Sequence, residues 1–131
     1  MCIFGLNSKD KEIATENIKV LKVIKTKNKN LCSPIFSDEI WEIGVVKEVD
    51  FQISEDKFEF RSNKYLTTTG IYSFDISKDP KICLLLFSFF GNEKGDNLKI
   101  YEAEIPQGAE YIKHGNQYCS NKLKLIKEYV F

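Results

Sequence analysis

The chain has 131 residues, 43% of them apolar and 13% aromatic, and its 19 basic and 19 acidic side chains balance to a formal net charge of zero. That apolar content can build one ordinary domain core without a disulfide or metal staple. A single histidine, a single arginine and no net charge argue against a histidine-based acid–base or metal centre, an arginine clamp for phosphate, and a global field for nucleic acid.

The charge is uneven along the chain. Residues 1–30 carry seven lysines against three acids, and residues 31–60 carry two lysines against eight acids. Met1 to Leu6 is too short for a secretory signal and lacks its basic start. Cys2, Cys32, Cys83 and Cys119 are therefore expected as thiols in the reducing cytoplasm. The longest apolar run, Ile82 to Phe90, falls far short of the roughly 20 residues a membrane helix needs. Lys, Asn, Ile, Phe and Tyr dominate the composition; their AT-rich codons point to an AT-rich bacterium or its virus as the source.

Asn7 to Asn17 is polar and lysine-rich and reads as a mobile N-terminal arm or a short helix around Ile13. In Ile18 to Ile24, Val20, Leu21, Val23 and Ile24 are too dense for one face, which predicts a central strand covered on both sides. Thr26 to Asn30 reads as a turn. Leu31 to Gly44 reads as irregular, opened by Ser33-Pro34 and anchored by Trp41. Val49, Phe51 and Ile53 then alternate with Glu48, Asp50 and Gln52, a half-buried strand that Ser54 to Lys57 would turn into a hairpin returning through Phe58 and Phe60. Gly70 to Phe74 is a short strand. Asp79-Pro80 starts a helix over about 79–90, with Ile82, Leu85, Leu86 and Phe89 as its apolar stripe and Gly91 as its stop.

After a loop to Asn97, Leu98 to Ile105 is a strand with Tyr101, Ala103 and Ile105 inward. Pro106-Gln107-Gly108 turns the chain. Tyr111-Ile112 and Gln117-Tyr118 flank a hairpin tip at His114-Gly115-Asn116. Lys122 to Val130 is the last strand, with Leu123, Leu125 and Tyr129 on one face. The sum is one α+β domain over 1–131, a twisted, mostly antiparallel sheet packed against one main helix.

Few constellations carry chemistry. Cys2 could act as a nucleophile only if Met1 were removed. His114 sits at a hairpin tip with no orienting partner in sequence. Glu102 and Glu104 share a strand face and read as solvated. No phosphate-cradling glycine loop, metal-ligand spacing or nucleophile elbow is present, so no catalytic residue, cofactor or metal is expected. The row Lys19, Lys22, Lys25, Lys27 and Lys29 reads either as an RNA contact or as a soluble edge.

Two stretches resemble small proteins of phages and mobile elements in AT-rich bacteria. One is Met1-Cys2-Ile3-Phe4 with Ile18 to Val23 and Ser33-Pro34. The other is Glu102 to Tyr111 followed by Ser120-Asn121-Lys122-Leu123, with Gly70 to Phe74 ahead of the helix. The resemblance implies a context of host-defence inhibition, anti-CRISPR proteins included. The favoured expectation is a cytoplasmic, non-catalytic inhibitor that binds a bacterial defence effector, such as a CRISPR nuclease or its RNA complex. Glu48, Asp50 and Glu59 would face a basic channel, Phe36, Trp41 and Tyr65 would anchor, and Tyr111 and His114 would add contacts. The alternatives are a sponge for a nucleotide messenger and a small nucleotide- or protein-modifying enzyme.

Overall fold

The computed structural model describes residues 2–5, 11–27, 30–32, 40–60, 63–87 and 97–130. In chain order these form β1 (Cys2–Gly5), β2 (Glu12–Ile13), β3 (Ile18–Lys27), β4 (Asn30–Cys32), β5 (Ile40–Trp41), β6 (Val46–Glu48), β7 (Gln52–Phe60), β8 (Asn63–Thr69), β9 (Ile71–Asp75), α1 (Pro80–Phe87), β10 (Asn97–Ile105), β11 (Glu110–His114), β12 (Gln117–Ser120) and β13 (Lys122–Glu128). A three-stranded sheet has the order β1-β8-β7. A larger sheet runs β2-β11-β12-β9-β3-β10-β13-β6, with β4 and β5 attached beside β3.

The dense apolar run after Ile18 becomes the centre of the larger sheet. Alternation along β3 sends Val20 and Ile24 into one buried cluster and Leu21 and Val23 into another. Both faces are covered, as the composition of the run requires. β10 pairs with β3 along its whole length, from Asn97 opposite Thr26 to Ile105 opposite Ile18. Tyr101, Ala103 and Ile105 are buried on the first face, and Ile100 on the second.

The sheet curls into a small barrel because two of its strands are one bent strand. Only Asn121 separates β12 from β13, yet β12 pairs with β9 and β11 while β13 pairs with β10 and β6. The ladder from β12 through β9, β3 and β10 therefore returns to the same stretch of chain at β13. The larger cluster fills the interior: Val20, Ile24, Ile71, Ala103, Ile105, Leu123 and Leu125 from the walls, with Trp41 and Ala109 closing it. Each such aliphatic side chain taken from water contributes about 1.5–3 kcal/mol.

Asn121 holds the bend. Its N–H donates to the Glu110 carbonyl at 3.1 Å, its Oδ1 accepts from the Glu110 N–H at 2.9 Å, and its carbonyl accepts from the Val49 N–H at 2.9 Å. Gly70, at φ +152°, lets the chain enter β9 close to this corner. A Cβ there would lie 2.7 Å from Cys119 Sγ and 2.9 Å from Phe51 Cδ2.

The expectation of an α+β sheet on one main helix over 79–90 is corrected. The described chain is mostly antiparallel β, and its one helix is the short α1, with 88–90 outside the described residues. The helix starts as expected, Asp79 Oδ1 accepting the Lys81 N–H at 2.9 Å with Pro80 first in the helix. Ile82, the first residue of the predicted stripe, is exposed, and Cys83 is buried, packed with Leu21, Val23, Phe74 and Ile100; the side chains of the other stripe positions, Leu85, Leu86 and Phe89, lie outside what the structure describes.

The hairpin turn expected at Ser54 to Lys57 is also absent. β7 continues through it with a register shift between Ile53 and Lys57, and the strand that pairs back is β8. The N-terminal arm lies partly outside the described residues. Its described end is tied down by β2, which pairs Ile13 with Glu110 and Glu12 with Tyr111, while Ala14 is buried.

Candidate functional site

The residues singled out in the sequence are scattered over the fold. Phe36 lies outside the described residues. Trp41, in β5 opposite Leu31, is 3% exposed and packs into the barrel end. Lys22 Nζ stands 6.0 Å and Lys47 Nζ 5.4 Å from its ring centroid, and Lys47 Nζ also donates to the Ile40 carbonyl at 2.9 Å. Two cations over one indole hold this corner by cation–π attraction; the ring acts as a core anchor.

The acidic residues do not share one face. Glu48 is exposed in the larger sheet opposite Lys122, with Asp50 exposed just beyond it. Glu59 belongs to β7 of the other sheet, opposite Lys64, and Tyr65 stands in β8 opposite Phe58 and Gly5. Cys2 is in β1 opposite Thr68. Charge neutrality is built locally: Lys99–Glu128 at 3.0 Å and Lys127–Glu102 at 3.4 Å join the neighbouring strands β10 and β13, Lys113–Asp75 at 3.2 Å reaches from β11 across β12 to β9, and Lys11, just before β2, pairs with Glu110 of β11 at 3.3 Å. Such pairs cancel at short range and leave little field to steer a charged ligand. The lysine row in β3 is broken likewise, because Lys22 and Lys25 are both buried, on opposite faces of the strand.

Tyr111 and His114 belong to the β11–β12 hairpin. Tyr111 is half-buried, its ring tilted against Tyr118 with centroids 5.8 Å apart, and burial, then Glu12, pushes its hydroxyl pKa up. His114 ends β11 opposite Gln117, and Gly115 turns the chain at φ +60°. Beside this hairpin Asp75 Oδ2 accepts from Lys113 Nζ at 3.2 Å and from the Tyr118 hydroxyl at 3.5 Å. Its Oδ1 accepts the Ser77 N–H at 2.9 Å. The Ser77 N–H, working against burial and helped by Lys113, holds the carboxyl below its ordinary value. Every partner here ties β9 to the hairpin or to the turn that follows, so the cluster reads as a structural clamp. Among the described residues, no group of three or more His, Cys, Asp and Glu is placed to hold a metal ion. Among them, no helix is long and apolar enough to cross a membrane.

One surface was not legible in sequence. Ile40, Ile43, Val45 and Val46 are all about half exposed, and Ile126 is 40% exposed beside them. Gly44, at φ +83°, donates to the Leu125 carbonyl at 2.8 Å, and the Val45 N–H reaches back to the Glu42 carbonyl at 3.4 Å. This tight turn feeds the chain into β6, the last strand of the larger sheet, with its outer edge unpaired among the described residues. Glu42, Glu48 and Asp50 are exposed around the strip. An apolar strip along an open sheet edge is a binding surface or an aggregation hazard. Its sequence signal, a run of apolar residues after Trp41, is the same signal a core segment gives. Compared with models of known protein families, with curated proteins and with solved structures, the chain matches none.

Proposed function

We propose that this chain is a non-catalytic inhibitor that binds a bacterial defence effector, an RNA-guided CRISPR nuclease being the concrete target, through the aliphatic strip Ile40, Ile43, Val45 and Val46 at the β6 edge. The observation that carries this reading is the clustering of those four half-exposed side chains along one sheet edge. The carboxylates of Glu42, Glu48 and Asp50 around the strip suit the basic rim of a nucleic-acid channel, with lysines from β13 limiting their field. The sequence resemblance to phage and mobile-element proteins supplies the bacterial setting.

The test is a DNA-cleavage assay with purified, guide-loaded nucleases, titrated with the full chain. Inhibition that saturates near stoichiometric addition supports the reading. The exposed substitutions Ile43→Asp and Val45→Asp should weaken it at least about tenfold, as expected for removing two apolar contacts. Neither inhibition nor binding across the nuclease panel overturns it, as does inhibition that these two substitutions leave unchanged.

A further inference from the structure

We draw no further inference here: the strongest candidate, the exposed aliphatic strip at the β6 edge of the larger sheet, belongs to the surface already proposed for binding, and nothing in the structure shows what covers it.

Discussion

Two serines make a controlled test of polar satisfaction in the barrel wall. Ser73 in β9 and Ser120 in β12 are both fully buried. Ser120 donates from Oγ to the Lys122 carbonyl at 3.0 Å, whereas Ser73 Oγ is buried with no hydrogen-bond partner among the described residues. Burying a hydroxyl without a partner costs about 1–3 kcal/mol in proteins. Ser73→Ala removes that cost and gives up the contacts of one oxygen, at about 0.1–0.2 kcal/mol per atom pair. The net expectation is stabilisation by about 1 kcal/mol, roughly 4 °C in melting temperature for a chain of this size. Ser120→Ala loses a made hydrogen bond beside the Asn121 bend, and should destabilise by about 1 kcal/mol. Urea unfolding, with the slope held equal between variants, measures both. If Ser73→Ala destabilises as much as Ser120→Ala, then Ser73 has a partner in solution and the reasoning fails.

Gly70→Ala should destabilise by about 2 kcal/mol or more, because its positive φ and the approach of Cys119 Sγ leave no room for a Cβ; an unchanged urea midpoint would show that the corner relaxes freely. Asn121→Ala keeps the backbone contacts but deprives the part-buried Glu110 N–H of its acceptor, so a loss of about 1–3 kcal/mol is expected by the same measurement. Asp75 has its carboxyl pKa lowered from 3.8, so its contribution to stability is present above that pH and fades as pH falls through the lower folded value. Acid titration of the melting temperature should show that loss in the native chain and a smaller one in Asp75→Asn; identical profiles would refute the clamp. Lys113 is shifted upward by the same contact, so its share persists at neutral pH and disappears only in strong alkali.

Much of the fold could be read from local pattern. β3, β10, the turn at Gly108, the hairpin through His114 and the inward set Tyr101, Ala103 and Ile105 all follow from alternation and turn residues. These signals are local: a side-chain period of two and a glycine at a positive φ are properties of a few neighbouring residues. The helix start at Asp79-Pro80 was legible for the same reason. The helix length and importance were not, because what lies beneath a helix depends on how the sheet curls. The run Ser54 to Lys57 has turn chemistry, but β8 offers it a ladder partner, and pairing along two strands outweighs a turn preference.

The candidate site divides along the same line. Composition alone determined that histidine and arginine chemistry is scarce, that no global charge exists and that a substantial core must form. Only the tertiary structure decided that Trp41 is an interior anchor, that Glu48 and Glu59 stand in different sheets, and that Lys22 and Lys25 are buried on opposite faces of β3. It also decided that a valine- and isoleucine-rich segment, indistinguishable from core by pattern, lies on the surface at the open edge of a barrel. Burial is a property of what packs on a segment from elsewhere in the chain, and a bend at one residue, Asn121, determines which segments meet.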